Sequence, residues 1–375
     1  MDRLRDNRSR DERYGPTGPP SDERTHPTVV REAIVSNNGD SSLKVLQVSA
    51  SGMEFFLNQV DILEELGIDC DAVYTGDFRD GGHIHGGDTL HTGLLNTIAG
   101  HNPLYYAIRG AVLYPQILKS SLVEDYDLVH INSGVVAPLG LVQPQRPVVM
   151  TFWGDDVLGD RMAGLQPKLT RLCATRSDHV IVRSQEMKDA LPCDATILPS
   201  GVDMSLFEPM DQAEAQEAVG WEPDHRHVIF PYHPSNEKKR YPVAKETVER
   251  ANELFDETIQ LQVVDDADFD EMPLYYNAAD VLLMPSLREG SPNTVKEAMA
   301  CNLPVVSTEA GDTRTRLGPV KHSYVCSTDA ELVDGVVSAL DAGERSDGRE
   351  YVEEVSLKRM GERIISIYES VLNDQ

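Results

Sequence analysis

From Lys44 onward, short apolar runs alternate with longer stretches of helical periodicity, and this alternation passes through the chain twice. In the first series KVLQVSA (44–50) reads as a buried strand and MEFFLNQVDILEELG (53–67) as an amphipathic helix closed by Gly67. DLVHIN (127–132), PVVMTF (147–152) and HVIVRS (179–184) are further compact strands with helical segments between them. The second series follows LPSGVDMSLFEP (198–209) and holds HVIFPY (227–232), IQLQVV (259–264), DVLLMP (280–285) and LPVVST (303–308). A strand–helix–strand rhythm of this kind builds parallel sheets covered on both faces. The predicted fold class is therefore α/β: two doubly wound, Rossmann-like units in tandem, facing each other across a cleft. Ligands of such sheets bind at the carboxyl ends of the strands, so the cleft is the expected site. The expected division is a polar tail at 1–42, a first unit at 43–203 and a second at 204–355. A closing segment at 356–375, with the helix SLKRMGERIISIYESVL (356–372), packs back on the first unit.

Length and composition agree with that division. The 375 residues suit two domains of about 150–200 residues each. Hydrophobic residues make up 40%, but no run approaches the roughly 18 uncharged apolar residues of a spanning helix. Residues 1–42 are charged and broken by Gly15, Pro16, Gly18, Pro19 and Pro20, too polar to offset their ordering entropy, and are expected to be disordered. They lack the apolar stretch of a secretory leader. Five scattered cysteines without a CxxC pair support neither a zinc site nor a disulfide framework. A cytoplasmic location is expected, with peripheral attachment to the inner face of the membrane as a variant. Sixty-two acidic against 34 basic residues give a net charge of −28, which repels phosphate backbones and argues against nucleic acid as a partner. Only ten of the 34 basic residues are Lys, and such an acid-rich, lysine-poor surface suits concentrated salt. A halophilic origin is the reading of this balance.

The most specific segment is ADVLLMPSLREGSPNTVKEAMACNLPVVST (279–308). A buried strand ends at Pro285, a short loop follows, and a helix starts near Pro292, with Ser291 as the expected N-cap and Pro292 at the first helical position. Asn302 can stop that helix in a left-handed conformation ahead of Pro304. Free amides at the helix start point at the loop and make an anion site. Glu289 stands just before the helix and Glu297 about a turn and a half inside it, so both carboxylates can border one ligand.

Set in REGSPNTVKEAM between two strands, this pattern resembles the E-x7-E motif of the family 4 retaining glycosyltransferases, whose fold is GT-B. DLVHIN, TFWGDDV (151–157), LPSGVDMSLFEP and NAADVLLMPS extend the resemblance over about residues 44–372. It implies that Glu297 binds the ribose and Glu289 the donor sugar, while the backbone of Gly290, Ser291, Pro292 and Asn293 lines sugar and phosphate. It implies that Lys239, in FPYHPSNEKKRYP (230–242), meets the departing diphosphate. The family's arginine position falls on Asn236, so Lys238 or Arg240 is a candidate substitute. Trp153 stands where many relatives carry His, and Asp155 keeps an acidic position that can orient an acceptor hydroxyl or simply cap a helix. Gly52, in SASGMEFFLNQV, is either a point where main chain approaches a phosphate or acceptor, or a plain strand-to-helix turn.

The activity implied is metal-independent transfer of a glycosyl group, of hexosyl type, from a nucleotide diphosphate sugar to a hydroxyl of a carbohydrate or lipid-linked acceptor. No cofactor and no metal ligand are expected. The DDAD run (265–268) reads as an acidic loop and HIHGGDTLH (83–91) as a glycine-rich loop. Two rivals are a nucleotide-sugar epimerase of the same architecture and a non-catalytic nucleotide-sugar-binding subunit.

Overall fold

In the computed structural model the described residues are 42–74, 103–159 and 164–374, the side chains of 103–109 excepted. The tail read at 1–42, Ser42 apart, and the HIHGGDTLH loop lie outside them. Along the first half the chain forms β1 (Lys44–Ser49), α1 (Glu54–Glu65), β2 (Asp69–Val73), α2 (Pro103–Val123), β3 (Leu128–Asn132) and α3 (Ala137–Val142). It continues as β4 (Val148–Thr151), α4 (Asp155–Leu158), α5 (Leu165–Ala174), β5 (His179–Val182), α6 (Gln185–Asp189) and β6 (Thr196–Ile197). These strands join in the order β2-β1-β3-β4-β5-β6, every pair parallel. β3 and β4 are buried along their whole length, as strands covered on both faces must be. Helix α1 ends where Gly67 takes φ 95°, a conformation that costs glycine little.

The second half forms α7 (Gln212–Val219), β7 (Arg226–Phe230), α8 (Tyr241–Asn252), β8 (Ile259–Val263), α9 (Met272–Ala278), β9 (Val281–Met284) and α10 (Asn293–Ala300). Then follow β10 (Val305–Thr308), α11 (Thr313–Leu317), β11 (Tyr324–Cys326), α12 (Asp329–Ala342), α13 (Gly348–Val352) and α14 (Leu357–Asn373). The second sheet runs β11-β10-β9-β7-β8, again all parallel. Two such sheets, one after the other, are the GT-B architecture. Among the described residues no helix is long and apolar enough to cross a membrane.

Helix α14 is last in the second series but packs on the first sheet. Its apolar residues recur at helical spacing, and Met360, Ile364, Tyr368 and Val371 bury against Val45, Leu63, Leu128, Val149 and Ile181. Tyr368 brings a hydroxyl into that core and so needs polar partners there. His130 Nδ1 lies 2.6 Å from it, and Gln47 Nε2 donates to it at 2.9 Å. His130 Nε2 meets Thr151 Oγ1 at 2.7 Å, and Gln47 Oε1 accepts from Asn132 Nδ2 at 2.8 Å. Burial pushes the His130 pKa down to about 3, so the ring in this network is neutral.

The chain crosses between the halves twice, and the crossings are bonded to each other. Val202 N donates to Val355 O and Leu357 N to Val202 O, at 3.0 and 2.9 Å. Gly201 makes this approach possible: a Cβ there would lie 2.6 Å from Leu357 Cα.

Candidate active site

The site grows from the loop between β9 and α10. The helix begins at Asn293, one residue later than the sequence suggests, with Pro292 as N-cap at φ −67° and ψ 122°. Ser291 does not cap, because its hydroxyl donates to Asp312 Oδ2 at 2.8 Å, the same oxygen that accepts from Arg316 Nε at 3.0 Å. Asn302 takes the expected left-handed conformation, φ 55°, and its Oδ1 accepts from Arg349 N at 3.0 Å. Asn293 Oδ1 accepts from Ser200 Oγ at 2.8 Å, tying the helix start to the crossing segment.

Lys239 and Glu289 meet here. Lys239 Nζ lies 2.6 Å from Glu289 Oε1, and 3.9 Å from the centre of the Tyr232 ring. Tyr232 in turn shares a 2.5 Å hydrogen bond with Thr294 Oγ1. Burial, aided by the Glu289 charge, holds the Tyr232 phenol well above its ordinary pKa. Asn236, which departs from the family pattern, caps a 3-10 turn at Glu237–Lys239, its side chain accepting from Lys238 N. The departure therefore shapes the turn that carries both lysines. Arg240 ends the turn at φ 57°, and its guanidinium goes to Asp329 at the start of α12 and to Pro285 O.

Lys238 reaches across to the first half, where its Nζ contacts both Asp155 oxygens at 2.9 and 2.8 Å. Asp155 opens α4, and Arg288 Nη1 donates to Leu158 O in the same short helix at 3.2 Å. The cleft is thus bridged by two side chains from the second half.

Glu297 is 8% exposed and its Oε2 accepts from Tyr276 Oη at 2.9 Å. Burial pushes its pKa up to about 7, opposed by the Tyr276 hydrogen bond and the Lys296 charge. Neighbouring Lys296 is also buried, with Nζ donating to Ser200 O at 2.5 Å and to Ser200 Oγ at 3.0 Å. Burial pushes that ammonium down to about 7.

Gly52 makes a close approach to an aromatic ring: a Cβ there would overlap the Tyr74 side chain. Trp153 stands between Phe55, whose ring centre is 4.1 Å away, and Arg183, whose guanidinium lies 3.8 Å over the indole. Its Nε1 donates to Asn132 O at 3.2 Å. Tyr232, Lys296 and Arg183 escape the sequence reading. The signal for Arg183 is a charge closing the apolar run of HVIVRS, at the carboxyl end of a buried strand. Among the described residues no group of three or more His, Cys, Asp or Glu is placed to hold a metal, and in the DDAD run Asp265 pairs with His233 at 3.6 Å.

Comparison with known proteins bears on the fold and the activity. Residues 238–342, which hold both lysines and both glutamates, match the family model described as Glycosyl transferases group 1. Over 274 residues, 62% of this chain and 68% of the other, the chain is 24% identical to TuaC of Bacillus subtilis, named as a teichuronic acid biosynthesis glycosyltransferase. A sucrose-phosphate synthase from Thermosynechococcus elongatus superposes with a TM-score of 0.62 at 15% identity, covering 89% of this chain and 100% of that one. Anabaena HepE, solved with UDP and glucose, gives 0.64 at 15% identity, with 88% and 100% covered. Sequence and architecture together make the chain a glycosyltransferase of GT-B fold.

Proposed function

We propose that the chain is a family 4 glycosyltransferase that transfers a hexosyl group from a nucleotide diphosphate sugar to an acceptor hydroxyl, with retention at the anomeric carbon and without a metal ion. The observation that carries this reading is the Lys239–Glu289 pair at the start of α10, with Glu297 inside the same helix. Amides at the start of α10 and the Lys239 ammonium face the diphosphate, where negative charge develops as the sugar–phosphate bond breaks. The ammonium charge and the amide dipoles together supply the electrostatic stabilisation that a metal would otherwise give. Glu289 orients Lys239 and the donor sugar, and Glu297 accepts from the ribose hydroxyls. The acceptor hydroxyl attacks from the face that the diphosphate leaves, and the leaving phosphate oxygen takes its proton. Asp155 is placed to orient that hydroxyl, and closure over α4 keeps water from the donor.

A thermal-shift panel of UDP, GDP and ADP sugars tests the donor class, since a ligand bound to the native state raises apparent stability. UDP-glucose comes first, being the donor bound by HepE. The panel is run in concentrated salt, in line with the halophilic reading of the −28 charge. Product anomers read by NMR should match the donor's configuration, and activity should survive EDTA. An inverted product removes the retaining assignment, loss in EDTA reversed by manganese removes metal independence, and a C2 epimer from donor alone makes the chain an epimerase.

A further inference from the structure

Arg183 follows β5 at the carboxyl edge of the first sheet, the edge at which parallel sheets bind ligands. It is 2% exposed, and among the described residues no carboxylate pairs with it. One nitrogen is committed: Nη1 donates to Leu198 O at 2.8 Å, in the segment that crosses to the second half. Nε and Nη2 are buried and have no hydrogen-bond partner. These two form the side-on edge of a guanidinium, whose parallel N–H groups match the two oxygens of a carboxylate or phosphate. The plane is held by the Trp153 ring at 3.8 Å, and Trp153 is itself fixed by Phe55 and by its bond to Asn132 O.

The donor loop approaches the base of this side chain. A Cβ on Gly290 would stand 3.7 Å from Arg183 Cβ and 3.8 Å from Trp153 O, so the loop ahead of α10 rests on both residues. A second buried cation, Lys296, is 1% exposed and close enough for the Arg183 charge to oppose its ionisation. Lys296 has the Asp312 and Glu297 charges to favour its ionised form, whereas Arg183 keeps two buried N–H groups unpaired, and such groups are costly until an acceptor meets them. Lys296 is bonded to Ser200 O and Arg183 to Leu198 O, so both cations grip alternate carbonyls of one crossing segment.

We propose that the Nε–Nη2 edge of Arg183, stacked on Trp153, binds a carboxylate or phosphate carried by one of the two sugar substrates, and that this anion is distinct from the donor diphosphate. The diphosphate belongs to α10 and Lys239 in the second half, whereas Arg183 belongs to the first. A bound anion completes the fork and links substrate charge to the crossing segment through Nη1. The enzyme then prefers an acidic sugar, or a phosphorylated acceptor, over a neutral one. This inference rests on the reading of the cleft as a nucleotide-sugar site.

The test is calorimetry on the full chain and on Arg183→Gln and Arg183→Lys, in concentrated potassium chloride so that general repulsion of anions is screened. One arm compares UDP-glucuronate with UDP-glucose. The other titrates inorganic phosphate, glucuronate and glucose into protein saturated with UDP, and into protein without nucleotide. In one arm the anionic probe should bind at least about tenfold more tightly than its neutral counterpart, as expected for a charged hydrogen-bonded pair. Both substitutions should remove that preference while UDP affinity stays within about threefold, since Lys keeps the charge but lacks the fork. A preference in the first arm places the anion on the donor sugar, and one in the second places it on the acceptor. No preference in either arm, or one that survives both substitutions, overturns the proposal. So does a matching loss of UDP affinity, which would assign Arg183 to the diphosphate. A chain that binds no UDP removes the donor reading instead, and the nucleotide-free titration still decides the anion site. Should Arg183→Gln fail to fold, Arg183→Lys carries the comparison.

Discussion

Lys239 Nζ and Glu289 Oε1 are 2.6 Å apart, and the two side chains, 17% and 15% exposed, come from different loops of the second half. They stand 50 positions apart in the sequence. Their pairing sets the ammonium beside the start of α10, where a leaving diphosphate would sit. Lys239→Ala should lower kcat by about tenfold to a thousandfold, the range for removing one preorganised electrostatic stabiliser. Donor affinity should fall less than the rate, because only binding specific to the transition state accelerates chemistry. Single-turnover kinetics with donor affinity measured separately makes the comparison. A silent Lys239→Ala would remove the lysine from the mechanism.

The Lys238–Asp155 bridge is different in kind. Its partners are 59% and 41% exposed, and exposed pairs contribute about 0–1 kcal/mol. Lys238→Ala should change donor KM by less than about fivefold, and its effect should shrink as salt rises. A double-mutant cycle with Asp155→Ala should give a coupling below about 1 kcal/mol. If Asp155→Ala alone raises acceptor KM or cuts kcat strongly, the carboxylate serves the acceptor rather than closure alone.

Glu297 titrates near neutrality because burial raises it to about 7. Below that value it is mostly neutral, and above it mostly ionised. A ribose hydroxyl donates more strongly to a carboxylate than to a neutral acid, so donor affinity should rise between pH 6 and pH 8. Glu297→Gln should flatten that profile and weaken binding at pH 8 by about tenfold to a hundredfold, the loss of one charge-assisted hydrogen bond. Calorimetry across pH checks both, and an unchanged profile in Glu297→Gln would assign the titration elsewhere.

Tyr368→Phe removes a hydroxyl that His130 and Gln47 both contact inside the first core. Leaving those partners unsatisfied should cost about 1–3 kcal/mol. Denaturant unfolding should show a lower midpoint, with donor affinity unchanged below the transition.

Both sheets were legible because their central strands are continuous apolar runs bounded by turn residues, as in LVHIN and VLLM. The strands that sequence reading misses lie at the edges. β2 is interrupted by Asp69 and Asp71, β11 has three residues and β6 two, so none carries enough apolar pattern to stand out. The helix at 293 was legible, but its cap was not, because Ser291 is drawn off by Asp312 from another loop. The same limit applies to Arg183. Its neighbours Trp153 and Leu198 are 30 and 15 residues away in sequence, and only the folded chain shows which of its nitrogens are taken.

Because α14 completes the first core, the early half of the chain lacks part of its interior until α14 has been made. Gln47 and Tyr368, which share a hydrogen bond, are 321 residues apart. A ribosome must pass about residue 371 before Val371 can cover Val45 and Leu128. Domains that form from contiguous sequence can fold as they emerge, but this one cannot finish that way. The second half, whose strands and core lie within one continuous stretch, is free to mature while the first waits with an apolar face uncovered. Emergence of α14, rather than of the first 200 residues, is then the event that sets when the cleft first exists.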